Sequence, residues 1–410
     1  MTEPEHSSTP LNGTRPPRRW LNRTVLGIGL ASLFSDWSHE TATAVLPTFL
    51  ATLGVAAAWL GLIEGVSDGL SSFAKMGSGF YTDKLRRRKP IAVVGYLVTA
   101  LGTASFGLAT AAWHVLVARS AAWLGRGVRT PVRKALLAGS VTEETYGRVF
   151  GFERMMDTLG AIVGPATGFL LLEMLHHHYP PLFAATLVPG LLAAAVIAWL
   201  VKEKDRKPVS HISFGERLRA LPATYRKFLA AVGLFGAGDF AHTMLILLAT
   251  QKLTPAFGFA EASSIAIALY MLHNVFYASF ALVAGWMADR FPKKHVLAGG
   301  YFLAAMMAVA IVVLPFTVWS LALIFIFGGI YVAVEETLED SFCAELVTKE
   351  HHGMAFGSLA TVNGIGDSVS SIVVGILWSA VGTAAAFGYS ALLFALGAVL
   401  VLRLPTPRKV

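Results

Sequence analysis

Residues 79–88 read Gly79-Phe-Tyr-Thr-Asp83-Lys-Leu-Arg-Arg87-Arg88, and 206 residues later the chain reads Gly285-Trp-Met-Ala-Asp289-Arg-Phe-Pro-Lys293-Lys294. A second pair shares that offset: Gly147-Arg-Val-Phe150-Gly151 and Gly353-Met-Ala-Phe356-Gly357. Chance similarity between apolar segments would not give two pairs one spacing, so the chain is a duplication. Both copies of the first motif lie between long apolar runs. Segments long enough to cross a ~30 Å hydrocarbon core fall at 24–53, 57–81, 89–110, 113–139, 149–174 and 181–201. Six more fall at 225–253, 260–288, 294–316, 318–345, 354–380 and 384–403. The reading is an all-α membrane protein of 12 transmembrane helices in two six-helix bundles, with a pseudo-two-fold relation. The bundles are expected at 1–201 and 225–410, joined by a polar linker at 202–224.

Composition agrees. Of 410 residues 55% are hydrophobic and 14% charged, against about a quarter charged in soluble domains, and mean hydropathy is +0.61. The single cysteine, Cys343, excludes disulfide frameworks, paired-cysteine redox motifs and cysteine zinc sites. A net charge of +8 would suit nucleic acid, but the basic residues sit in short loops, so nucleic acid is not an expected partner. Arg15, Arg18, Arg19 and Arg23 precede the first span; Lys84, Arg86, Arg87, Arg88 and Lys89 follow the second. Lys202, Lys204, Arg206 and Lys207 open the linker, and Arg403, Arg408 and Lys409 close the chain. By the positive-inside rule both termini are expected in the cytoplasm of a multi-pass plasma (inner) membrane protein, with no cleavable signal.

These motifs resemble those of the major facilitator superfamily, over essentially the whole chain. Its loop motif is matched by Gly79, Asp83, Arg87 and Arg88, and again by Gly285, Asp289 and Lys293, with Arg86 and Pro292 where glycine is usual. An Arg followed by Gly-x-Gly in the fourth helix is matched by Arg119, Gly125 and Gly127. The Gly-Pro-x-x-Gly of drug and proton antiporters is matched in the fifth by Gly160, Gly164, Pro165 and Gly168. The resemblance implies a secondary transporter working by alternating access, with helices 1 and 7 facing each other across a cavity lined by helices 1, 4, 7 and 10 and their neighbours. It favours export of a small solute, drug or metabolite, by a monomer with the lipid bilayer as its surroundings. No Gly-x-x-x-x-Gly-Lys-Ser/Thr loop occurs; with no cofactor expected, a proton gradient is the expected driving force.

Asp36-Trp-Ser-His39-Glu40 puts three ionisable groups on one face of the first helix, Asp36 roughly 18 Å deep at ~1.5 Å per residue. Asp239-Phe-Ala-His242 repeats the pattern at matching depth. Ionisable groups there are costly and normally functional. The five residues suit a proton carrier or, through Asp36, His39, Asp239 and His242, a divalent transition-metal site, which would make the chain a transition-metal exporter; the plain alternative is a helix-packing cluster. Arg129 and Arg133 correspond at the same offset to Glu335 and Glu339. With Asp83, Arg87, Arg88 and Asp289 they are expected to form a cytoplasmic gate of ion pairs, the plain alternative being solvated headgroup charge. Asp68 and Lys75 are spaced to pair, and Asp157 either faces the cavity or satisfies Arg154. His176, His177 and His178 read as a turn. Gly65-Val-Ser67-Asp-Gly69 fits a hydrolase motif but lies inside a membrane helix, where the required strand-to-helix elbow does not form. A non-transporting sensor on the same fold would be expected to append a soluble domain, which the short tails disfavour.

Overall fold

The computed structural model describes residues 20–54, 57–203 and 214–405. Arg15, Arg18, Arg19, Lys204, Arg206, Lys207, Arg408 and Lys409 lie outside the described residues. The first bundle is α1 (Arg23–Thr52), α2 (Ala57–Lys84), α3 (Lys89–Ala104), α4 (Ala112–Gly139), α5 (Tyr146–Met174), α6 (Tyr179–Ala185) and α7 (Leu187–Leu200). A short helix, α8 (Phe214–Ala220), lies in the linker. The second bundle is α9 (Ala223–Gly236), α10 (Thr243–Phe257), α11 (Phe259–Arg290), α12 (Lys293–Val313), α13 (Val318–Leu346), α14 (His352–Ala380) and α15 (Thr383–Leu402). Counting α6–α7 and α9–α10 as broken single passes gives twelve spans. A lone helix or a closed barrel satisfies every backbone group in lipid, and this chain uses helices throughout the described residues.

Eight of the passes are long and apolar enough to cross a membrane by length and composition. The four that fall short are α1, α2, α4 and α9–α10. The first three are lowered in hydropathy by the intramembrane charges they carry, such as Asp36, Lys75 and Arg129, and the fourth is interrupted. The seventh span was expected to run unbroken over 225–253, but residues 237–242 leave the helix. Gly236 ends α9 and Gly238 lies within the break, where glycine's low helix propensity weakens the ladder. The sixth span breaks at Thr186, whose Oγ1 donates to the Phe183 carbonyl at 2.6 Å. Local endings follow local chemistry. Glu203 accepts from the free N–H groups of Arg88 and Lys89 at 2.7 and 2.8 Å, capping α3, and Thr317 with Ser320 forms a capping box at α13. His176 and His177 take left-handed φ of 49° and 60° as α5 ends, the turn expected there. Ser67 donates to the Ile63 carbonyl inside α2, a helical arrangement that excludes a nucleophile elbow.

Contact between the bundles runs along α2 with α14 and α5 with α11. Both crossings rest on glycine pairs. A Cβ at Gly79 would strike the Gly353 carbonyl, and one at Gly285 would strike the Gly147 carbonyl. Small residues let membrane helices approach to backbone contact. In Gly285→Val the added side chain has no room, and overpacking of this kind costs about 1–3 kcal/mol. The purified chain should aggregate at a temperature several degrees lower than wild type. Gly299→Val, on open surface with nothing near its Cβ position, should leave that temperature unchanged, and equal behaviour of the two variants would refute the packing account.

Candidate functional site

Each glycine crossing carries a buried aspartate one turn further along. Asp83 is fully buried; Oδ1 accepts from Gly353 N at 3.0 Å and Oδ2 from Met354 N at 2.8 Å, while Arg88 donates to Oδ1 at 2.7 Å. Asp289 repeats this with Gly147 N at 2.8 Å, Arg148 N at 3.2 Å and Arg148 Nε at 2.6 Å. Each carboxylate thus seats on the free N–H groups and positive dipole end of the fifth helix of the other bundle. Hydrogen bonds to charged groups are worth about 1.5–3 kcal/mol each. Arg87 is exposed in the loop after α2.

Further into the membrane the bundles part around a cavity of about 220 Å³, lined by α1, α2, α4, α5, α13 and α14. Its floor is crossed by ion pairs. Lys134 Nζ lies 2.6 Å from Asp340, and Arg154 lies 2.8 Å from Glu336 and 3.8 Å from Asp340. Tyr277 also donates to Glu336. The expected partners of this bridge need correcting. Arg133 is taken within its own bundle by Glu153 at 2.7 Å and Asp157 at 3.5 Å, and donates to Ser32. Arg129 donates to Ser35 at 2.7 Å and lies 4.0 Å over the Tyr96 ring. Glu339 accepts from Tyr301 at 2.5 Å and Asn363 at 2.7 Å; Glu335 is buried on α13. Nearer partners in the same bundle take Arg129, Arg133 and Glu339, and cross-bundle pairing in this register falls to the next residue, Lys134 with Asp340. Applying the 206-residue offset one position further finds that pair in the sequence.

The five-residue midplane cluster does not assemble. Asp36 lies 3.5 Å from Arg126 at the cavity edge, its Oδ1 buried without a partner. His39 packs edge-on against Trp123 with centroids 4.3 Å apart and lies 3.5 Å from Glu40. Asp239 and His242 lie in or beside the break between α9 and α10, not on a helical face. Asp239 accepts from Tyr331 at 3.0 Å, and His242 packs against His273 with centroids 4.9 Å apart. None of the residues lining the cavity comes from α9 or α10. Among the described residues no three His, Cys, Asp or Glu are grouped to hold a metal ion, so the expected metal site is not formed. The matched Asp-x-x-His spacing misled because it assumed two intact helices.

The remaining expected residues have structural places. Arg119 lies 4.4 Å over Trp123 and 3.5 Å from Glu64. Gly125 and Gly127 admit α3 and α2 against α4, and Gly164 meets α1, where Thr41 donates to its carbonyl at 3.0 Å; Pro165 follows inside α5. Asp157 both lines the cavity and pairs with Arg154 at 3.2 Å. Asp68 and Lys75 form no ion pair: Asp68 accepts from Trp123 at 2.5 Å, and Lys75 lines the cavity. Arg126, Lys134, Asn363 and Asp367 were not singled out in the sequence. Arg126 precedes Arg129 and Arg133 by three and seven residues, a spacing that marks one helical face.

The model described as Major Facilitator Superfamily matches residues 28–253 and again 231–410. An uncharacterized MFS-type transporter of Methanocaldococcus jannaschii is 29% identical over 364 residues, covering 88% of this chain and 89% of its own. The multidrug resistance protein MdtH of Citrobacter koseri is 25% identical over 330 residues, 78% of each chain. The crystal structure of FucP, a Major Facilitator Superfamily transporter in the outward conformation, superposes with a TM-score of 0.72 at 16% identity, covering 95% of this chain and 100% of that one. At that identity the likeness establishes fold.

Two outcomes follow from the geometry. Asp83→Asn keeps an acceptor oxygen but loses the charge that holds Arg88 and the α14 dipole. A cysteine placed at Asn363, in the cavity, should then react several times faster with an impermeant thiol reagent added from the side bearing the termini; unchanged labelling would show that the seat does not hold the bundles closed. Lys134→Met and Asp340→Asn remove the two ends of one bridge, and losing one partner of a buried pair costs about 3–5 kcal/mol. In heat-stability midpoints the double variant should lose clearly less than the sum of the single losses; strict additivity would mean the two groups act separately.

Proposed function

The chain belongs to the Major Facilitator Superfamily, and from that premise we propose that it is a proton-coupled secondary transporter exporting a small solute by alternating access. The observation that carries the proton coupling is Asp36. It lines the cavity beside Arg126 with one oxygen unpartnered, so it has an open position for a proton and a cation next to it that competes for the charged form. Protonation releases Arg126, and deprotonation recovers it. Asp239, the other candidate, is held by Tyr331 away from the residues lining the cavity and is the weaker carrier.

Orientation follows from the loop charges. With Arg86, Arg87, Arg88, Lys293 and Lys294 on the side bearing the termini, that side is cytoplasmic and the membrane is the plasma (inner) membrane. The glycine crossings and aspartate seats then lie on the cytoplasmic side, which supports an outward-facing state. Alternating access requires both seats to open together, because they are related by the pseudo-two-fold axis. Export draws on the Gly164-Pro165 segment of α5 and on the likeness to a multidrug resistance protein. The transporter works as a monomer, without a cofactor.

A growth screen of an export-deficient host against drugs and small metabolites would supply a substrate. With that substrate in proteoliposomes, Asp36→Asn should lower pH-gradient-driven movement at least tenfold while gradient-free exchange continues, since exchange needs no net proton movement. Normal driven movement in this variant would remove Asp36 as the proton carrier.

A further inference from the structure

The cavity between the bundles has a positive pole and a negative pole, and we propose that its occupant is a small zwitterion bearing one anionic and one cationic group. The inference rests on the transport reading above and names the substrate class of that same cavity. The positive pole belongs to the first bundle. Lys75 on α2 is partly exposed, and Arg126 on α4, held at 3.5 Å by Asp36, still has 31% of its side chain exposed, both lining the cavity. The negative pole belongs to the second: Glu336 on α13 has 34% of its side chain exposed, and Asp367 on α14 is exposed, again lining the cavity.

The deeper charges are already matched, Lys134 to Asp340, Arg133 to Glu153 and Arg154 to Glu336. Lys75 and Asp367 are not: among the described residues neither has a hydrogen-bond or ion-pair partner. Both contacts to Glu336 use Oε2, leaving Oε1 open to a ligand. One accessible cation and one accessible carboxylate, on opposite bundles, therefore feel each other's charge across the cavity without closing to an ion pair, a gap that a ligand bearing both charges can fill.

Size and lining agree. About 220 Å³ is below the ~300–1,000 Å³ of drug-sized sites, which are mostly apolar, and this cavity is lined chiefly by charged groups with Thr130 and Asn363 as neutral hydrogen-bonding groups. A solute with one charge would satisfy one pole and leave the other bare when closure excludes water, a cost that falls on unpaired buried charge. A zwitterion satisfies both. Its anion sits with Lys75 and Arg126 and its cation with Asp367 and Glu336, so the solute itself links the bundles across the cavity.

The test is calorimetry on the full chain in lipid nanodiscs, with the neutral amino acids, β-alanine, 4-aminobutyrate, taurine and glycine betaine as probes. Butyrate and butylamine serve as single-charge counterparts of 4-aminobutyrate, and equivalent pairs serve the others. At least one zwitterion should bind at least tenfold more tightly than both of its single-charge counterparts. Lys75→Gln and Asp367→Asn should each lower that affinity at least tenfold, with Lys75→Arg retaining most of it. Binding of no zwitterion, or equal binding of a single-charge counterpart, overturns the proposal on the wild-type protein alone, whatever the variants do. The transport reading is separated by flux in proteoliposomes. Zwitterion binding without pH-gradient-driven flux keeps this site and removes proton coupling; driven flux of an apolar drug without zwitterion binding does the reverse.

Discussion

A carboxylate seated on the bare N–H groups of a helix from the opposite bundle is the interaction on which the observed arrangement depends. It occurs twice, Asp83 on α14 and Asp289 on α5, each beside a glycine pair that brings two backbones into contact. The first turn of any helix leaves donors without partners, and in a membrane protein those donors must be met by protein or headgroup water. Here they are met across the bundle boundary. Each bundle both supplies an aspartate and receives one, and the two seats are related by the duplication.

Around this joint the two bundles have diverged in charge while keeping their register. Positions that carry Arg129, Arg133 and Lys134 in α4 carry Glu335, Glu339 and Asp340 in α13. Each intramembrane charge costs about 2.5–3.5 kcal/mol on insertion scales, and the structure offsets this first within a bundle. Arg133 goes to Glu153, Arg129 to Ser35 and Tyr96, and Glu339 to Tyr301 and Asn363. Among the described residues Lys134 and Arg154 reach across to Asp340 and Glu336, and at the joint Arg148 reaches across to Asp289. A pair within a bundle is indifferent to rocking. A pair between bundles holds only in an arrangement that keeps the two bundles together at that point, so these few contacts belong to the arrangement seen here.

Much of this was legible in order. The repeated loop motif gave the duplication, the apolar runs gave the spans, and Asp83 and Asp289 were recognisable from their place in that motif. What failed were the pairings. The Asp-x-x-His likeness of α1 and the seventh span assumed continuous helices, and the break at 237–242 turned Asp239 toward Tyr331 and His242 toward His273. The predicted Arg129 and Arg133 bridges had the right helices and register but not the right residue.

The sequence by itself determined the membrane class, the twelve spans, the internal repeat and which helices carry charge, because hydrophobic length, motif offset and ionisable residues are properties of the linear chain. Only the tertiary structure decided which charges meet, which remain open to the cavity, and where a span unwinds. Those outcomes depend on which partners lie within a few ångströms, such as Glu153 and Asp157 for Arg133, and residue spacing along one helix carries no information about the distance to another.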